Sequence, residues 1–546
     1  FLLQERSYHQ SPPIPEPENT MLRLSLLALV TLVNLDTATS KVGCLGPSGE
    51  SVEWWTIYKL PTLTDSPDQG LKAGLGYAYY DSDSSTPVPL SNFSATSSSG
   101  FQPLKGKSLA DTTSNPLKAT LDQIYNANQE NTDLSYLMYN DELPCSSSGG
   151  VSCDGDATDD CMATCPFAPY TKYNAIGLGP SDCYSGKYTH DKCNVWYCSL
   201  QGTFFAHAKG TLALDKESGF WLIHSLPRFP APASLGADYR FQGCLGTYGQ
   251  TYMCSSIETS SFDAVGVQLR HVGPLLYDTS ATKPTDIDSS LTNLQKVYET
   301  FDRGQRIMNK TIFTQNRLHN ASSHYQTAAT LIGTKGTKFL HVATEETGSK
   351  VPHGLWDVAV PNALNNWPSG SGKWKGKGLF VETWRKGTGP SNDGKVSICA
   401  AKDPSFAYNV INVGKLTASL SKTGDSSFPF QKDHSKWAVS EDSASAWVCI
   451  GDKNRELSQD KRGGGALCVA DQRLHSIFSN AISVLGGDIW HSTTCSSSKK
   501  CSKVTQTCVL CDATCAAGSS SRKEGKYYCD TQDTDCGLKP PGKDAR

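Results

Sequence analysis

Short apolar runs, several rich in β-branched and aromatic residues, predict strands over 54–60, 134–139, 202–214, 219–224, 378–384 and 437–439. Apolar positions recurring at helical spacing predict amphipathic helices through Leu291, Leu294, Val297 and Phe301, and through Leu474, Ile477, Ile482 and Leu485. Strands and helices interleave, so the fold class is mixed α/β. Trp55-Thr56-Ile57-Tyr58-Lys59 and Val381-Glu382-Thr383-Trp384-Arg385-Lys386 echo each other. Each precedes a strand carrying His-x-Lys, which points to two related halves.

The apolar pattern also marks a leader. Met21, Arg23, the run from Leu24 to Leu32 and the small residues Ala38-Thr39-Ser40 form a secretory signal pattern. The mature chain is expected to start near Lys41. No later stretch of about 20 apolar residues would span a membrane. Three sequons, at Asn92, Asn309 and Asn320, fit glycosylation on that route, and the expected location is lysosomal or extracellular.

Cysteine density divides what remains. Of 20 Cys in 546 residues, one lies in 41–140, seven in 145–198, six in 199–495 and six in 496–546. An even total in a secreted chain fits full pairing. The expected organisation is a leader (1–40), a first half (41–144) interrupted by a Cys-rich insertion (145–200) and resumed over 201–290, a second half (291–495), and a Cys-rich tail (496–546). A tail of about 50 residues requires disulfides, because it buries too little apolar surface to hold itself together.

Charge narrows the partners less than it first implies. The formal net charge is -3, which argues against bulk electrostatic binding of nucleic acid at neutral pH. Removing Arg6 and Arg23 against Glu5, Glu16, Glu18 and Asp36 takes it to -1, and the remaining His residues make the chain cationic in acid. His-x-Lys occurs at His190-Asp191-Lys192, His207-Ala208-Lys209 and His434-Ser435-Lys436. About one such triplet arises by chance at this composition, so context must choose. On a strand, residues i and i+2 share a face, and an imidazole beside an ammonium suits a phosphate: Lys neutralises the oxygens and His does the covalent or proton-transfer work. His190 sits among the dense cysteines and is set aside as a surface-loop residue.

Around the other two triplets lie Trp54-Trp55-Thr56-Ile57-Tyr58-Lys59-Leu60-Pro61, Tyr139-Asn140-Asp141, Gly219-Phe220-Trp221-Leu222-Ile223-His224-Ser225-Leu226-Pro227 and Thr247-Tyr248-Gly249-Gln250. Gly451-Asp452-Lys453-Asn454-Arg455 and Arg462-Gly463-Gly464-Gly465 follow. In this order and spacing they resemble deoxyribonuclease II. The resemblance implies a phospholipase D-like fold, two related sheet and helix halves sharing one active site, with the insertion and tail as additions. It implies cleavage of double-stranded DNA in acid without a metal or other cofactor, leaving 3'-phosphate and 5'-hydroxyl ends through a phosphohistidine. Carried over by position, His207 and His434 form the catalytic pair, Lys209 and Lys436 hold the phosphate, and Asn454 assists the second motif. Analogy favours His207 as nucleophile. The implied disulfides are Cys44–Cys244, Cys399–Cys495 and Cys449–Cys468, which leaves Cys254 to pair into the insertion.

Other positions keep two readings. Lys373, Lys375 and Lys377 contact the DNA backbone or form a solvated loop, and His224 lines the site or packs as a structural residue. Asp154, Asp156, Asp159 and Asp160 lack the Gly and Glu of a calcium loop, and the tail's Cys508, Cys511 and Cys515 read as disulfide rather than zinc residues. Two rival functions stand beside the nuclease: a non-catalytic secreted toxin or binding protein of the same fold, and a phosphodiesterase acting on another substrate. The intact triplets favour catalysis. Oligomeric state is not legible.

Overall fold

The computed structural model describes residues 41–83, 101–130, 133–142, 205–235, 246–304, 307–319, 326–346, 354–367, 378–385, 406–420 and 424–486, with single positions between these stretches and two short paired strands, Arg522–Lys523 and Lys526–Tyr527. The leader, the insertion and nearly all of the tail lie outside the described residues.

Seven antiparallel strands form the first sheet: β1 (Trp54–Lys59), β2 (Tyr77–Asp81), β3 (Ser135–Asn140), β4 (Lys209–Leu214), β5 (Ser218–His224), β6 (Gln250–Glu258) and β7 (Leu276–Thr279). Their order is β2-β1-β6-β5-β4-β3-β7. The second sheet contains β8 (Gln326–Ile332), β9 (Lys338–Thr344), β10 (Gly378–Thr383), β11 (Asn409–Leu420), β12 (Gly424–Pro429), β13 (Lys436–Ser440), β14 (Trp447–Gly451), β15 (Gly464–Ala470) and β16 (Ile482–Leu485). Its order is β8-β9-β15-β14-β13-β10-β11-β12, with β16 also on β11. Mixed α/β class and two sheet-bearing halves are as expected.

The period of two along each strand divides side chains between two layers. Trp221 and Ile223 of β5, and Trp437 and Val439 of β13, enter one central core together with Tyr58, Met253, Val448 and Ile450. Phe220 and Leu222 turn the other way, onto α1 (Pro116–Glu130), whose Leu117, Leu121 and Ile124 recur at helical spacing. Behind the second sheet, Trp356, Val360 and Leu364 cover Ala438 and Ala466. The halves thus share an apolar interior, and truncating a buried Trp there costs about 3–5 kcal/mol.

Lys209 pairs with Asn140 at the β4–β3 edge, and Lys436 pairs with Thr383 at the β13–β10 edge. β10, which carries Val381, Glu382 and Thr383, therefore corresponds in position to β3. The echo between 55–59 and 381–386 joins non-equivalent strands, since β1 lies three places from β4. The strand predicted over 202–214 begins only at Lys209. Backbone N–H groups just before it are taken by other loops: Ala206 donates to Gly273 O (3.0 Å) and His207 to Gly463 O (3.0 Å). The helix through Leu291 is Thr292–Tyr298, and Phe301 opens a two-residue strand instead. The helix Gln472–Ala481 is capped by Asp471, which accepts from Arg473 N and Leu474 N. Ile482 and Leu485 leave it for β16, where they complete an edge against β11.

One disulfide departs from the expected pairing. Cys44 bridges Cys254, not Cys244, with Cα atoms 5.9 Å apart. Strand register is the reason. Cys254 sits opposite Trp55 and faces the outer core, where the Cys44 N–H already donates to Ser256 Oγ (2.8 Å) on the same strand. Cys254 is therefore not available to the insertion. Cys449–Cys468 forms as expected, joining directly opposed residues of β14 and β15. Cys244, Cys399 and Cys495 lie outside the described residues.

Candidate active site

Both His-x-Lys motifs straddle a strand start: the Lys opens β4 or β13 and the His precedes it by two residues. The two histidines are held by different means. The His207 ring donates through Nδ1–H to Asp452 O (2.5 Å), since a carbonyl only accepts. That contact fixes the tautomer and leaves the Nε2 lone pair free, 3.9 Å from Asp141 Oδ2. Among the described residues the His434 ring has no hydrogen bond; its Nε2 is buried without a partner. Its backbone N–H donates to Gly249 O (2.8 Å), and the ring lies parallel on Tyr248 with centroids 3.8 Å apart, at 8°. Trp384 contacts it at 4.5 Å and 42°.

Asp141, just past the end of β3, joins the halves. Lys209 Nζ donates to its Oδ1, and Arg462 Nη2 donates to Oδ2 at 3.1 Å. Arg462 also reaches Phe205 O (3.2 Å) and Ala206 O (3.1 Å), fixing the approach to His207. Burial would raise the Asp141 pKa, but Lys209, His207 and Arg462 outweigh it and hold the carboxyl far below its usual range. Lys436 Nζ donates to His434 O (2.6 Å).

Electrostatics tie the two motifs together. Burial first, then Lys209, Arg462 and Lys436 drive the His207 pKa well below its ordinary value, against the opposing pull of Asp141. Burial, then Lys436, Lys59 and Lys209 do the same to His434. Each imidazole feels the lysine of the opposite half. Lys436 is lowered to about 8 by burial and then by Lys209. The pairs thus form one cationic cluster, suited to a phosphate and costly to leave without one.

Asn454 is 6% exposed, and its Oδ1 has no hydrogen-bond partner among the described residues. Its neighbours are pinned. Lys453 donates to Arg462 O (2.6 Å) and Thr344 Oγ1 (3.1 Å), and Arg455 donates to Asp357 Oδ1 (2.6 Å) and Asn412 Oδ1 (2.7 Å). An amide held there with a free oxygen is a ready polar group for a ligand.

Residues 43–158 and 199–486 match the family described as Deoxyribonuclease II. This chain belongs to that family. Plancitoxin-1 of Acanthaster planci is 28% identical over 466 residues, covering 85% of this chain and 98% of that protein. Deoxyribonuclease-2-alpha of Rattus norvegicus is 28% identical, with 81% and 93% covered. Deoxyribonuclease-2 of Caenorhabditis elegans is 27% identical, with 82% and 94% covered.

Within this deoxyribonuclease II chain, His207 and His434 each lie in electrostatic reach of both Lys209 and Lys436. His224 is fully buried, packed against Tyr252 and Phe229, and burial, with Lys209 adding to it, lowers its pKa to about 3. Lys373, Lys375 and Lys377 lie outside the described residues. Asp141, Arg462, Asp452, Tyr248 and Lys59 received no role from sequence reasoning, although all stand in the motifs that carry the resemblance. Arg462, the partner of Asp141, lies 321 residues away, so no local pattern marks the pair.

Proposed function

We propose that this chain is an acid endonuclease that hydrolyses double-stranded DNA to 3'-phosphate and 5'-hydroxyl ends through a phosphohistidine, without a metal. The observation that carries this reading is the contact between His207 and Asp452 O. It holds Nδ1–H, leaves Nε2 as a nucleophile and stabilises the positive ring once phosphorus is bound. Nε2 forms a bond to phosphorus as the bond to the 5'-oxygen breaks, and protonated His434 gives that oxygen its proton. Water then attacks phosphorus, His434 takes the water's proton, and the P–N bond breaks to release the 3'-phosphate.

Lys209 and Lys436 supply the charge that a metal would otherwise contribute. Asp141, engaged by Lys209 and Arg462, serves the cations rather than an ion from solution. The acid optimum follows from His434. Its surrounding ammonium groups disfavour the protonated acid, and low pH together with the bound phosphate restores it.

The secretory route accounts for further features. Two described disulfides suit an oxidising compartment. Asn309 is exposed, and its Oδ1 accepts from Ile312 N at a helix start, which leaves Nδ2 for a glycan. Asn92 and Asn320 lie outside the described residues.

The test is plasmid cleavage at about pH 5 in EDTA, a pH where an ordinary imidazole is protonated. The parent is expected to cut, His207→Ala and His434→Ala are expected not to, and acid-labile phosphate is expected on His207 after rapid quenching. An inactive parent, or full activity in either variant, overturns the mechanism.

A further inference from the structure

His207 and His434 are oriented by unlike devices, and the second rests on residues outside both motifs. With no hydrogen bond on its ring among the described residues, the His434 imidazole would swing about χ1 and χ2 unless packing stopped it. The closest packing is the parallel face of Tyr248, at 3.8 Å and 8°.

Tyr248 is 38% exposed, one of the few large apolar side chains left open to solvent among the described residues, so burial alone does not fix it. Its backbone is fixed instead. Lys59, fully buried at the end of β1, donates through Nζ to Tyr248 O (2.7 Å), Gly246 O (2.8 Å), Gly74 O (2.7 Å) and Leu60 O (3.0 Å). One ammonium thereby gathers both sides of the loop. Gly249 then continues into direct contact with the motif: its N–H donates to Lys432 O (3.0 Å) and its carbonyl accepts from His434 N. A Cβ at Gly249 would lie 2.3 Å from Asp433 Oδ1, so loop and motif meet with no space between them.

We propose that Tyr248, anchored through its backbone by Lys59, is a positioning residue that sets the His434 imidazole in line with the departing 5'-oxygen. This rests on His434 being the general acid. The ring needs only its face, so a phenyl group serves as well as a phenol. Losing the face lets the imidazole rotate away, and the penalty falls on proton delivery rather than on attack at phosphorus.

The experiment compares the parent, Tyr248→Phe, Tyr248→Ala and His434→Ala on two substrates: duplex DNA, and thymidine 3'-phosphate esterified with 4-nitrophenol, whose leaving group departs without a proton. Tyr248→Phe is expected to match the parent on both. Tyr248→Ala is expected to lose about tenfold or more in kcat on DNA, with KM little changed, and to keep most of the rate of the initial burst of nitrophenolate from the ester, which reports attack at phosphorus before the water step. Parental DNA cleavage by Tyr248→Ala overturns the proposal. So does an equal loss of DNA cleavage and of the nitrophenolate burst, which would mean general structural damage. His434→Ala separates the two levels: if it still cuts DNA, the assignment of His434 itself falls, whereas an inactive His434→Ala beside an unimpaired Tyr248→Ala removes only the positioning role.

Discussion

Arg462 donates to Asp141 over 3.1 Å, across 321 residues of sequence and from one half of the molecule to the other. The same carboxylate receives Lys209. A buried anion shared by two cations is weak evidence of net stabilisation, but removing it alone leaves both charges uncompensated. Asp141→Ala is expected to lower unfolding stability by about 3–5 kcal/mol in urea titration at neutral pH. A loss under about 1 kcal/mol would mean that water reaches the cations and the clamp holds nothing.

The Cys44–Cys254 bridge closes a loop of 210 residues and ties Cys44, ahead of β1, to the interior strand β6. Replacing Cys254 with Ala is expected to cost about 2–5 kcal/mol. Peptide mapping without reduction is expected to recover Cys44 joined to Cys254. A Cys44–Cys244 peptide would restore the pairing that the family resemblance implies.

What the sequence disclosed and what it hid divide along physical lines. The strands around both motifs were legible because their apolar residues run together, and His207, Lys209, His434 and Lys436 were legible as two intact triplets in family-like surroundings. β6 carries no strand signal, although it lies inside the first sheet between β1 and β5: Gln250, Thr251, Ser255 and Ser256 interrupt its apolar pattern yet are all buried. Cys44 draws an expected partner only from the family resemblance, because register between strands is invisible in one sequence. Asp141 and Lys59 read as ordinary charged residues, since burial of a charge is a property of the folded surroundings. Tyr248 reads as any loop aromatic, and only the fold lays its ring flat against His434.

Asp452 links site and stability through pH. Its carboxyl is raised to about 7 by burial, although Gly465 N donates to it (2.9 Å). A group whose folded pKa exceeds its unfolded value stabilises the fold fully below about 3.9, and that contribution is lost as pH rises through about 7. Asp452→Asn keeps the acceptor for Gly465 and removes the titration. The parent is expected to gain stability relative to this variant as pH falls from about 7 to about 4, on the order of 1 kcal/mol per pH unit. Parallel stability curves for the two proteins across that window would refute the shift.

Lys59 makes a separate prediction for the pH dependence of catalysis. Its charge lowers the His434 pKa, in company with Lys436 and Lys209 and after burial itself. The nearby Asp433 accepts from Tyr58 and Ser435 and is raised by burial, so it offsets these cations only in part. Lys59→Met keeps the apolar stem and deletes one of three ammonium groups facing the imidazole. His434 then protonates more readily, so the alkaline limb of the pH profile for kcat/KM is expected to move upward, on the order of one unit, even where the maximal rate falls. The opposite variation, Lys59→Arg, keeps the charge and is expected to leave the limb in place. Since a disordered loop would reduce the rate at every pH alike, a limb that stays fixed in Lys59→Met would show that the group limiting activity is not the imidazole beside Lys59.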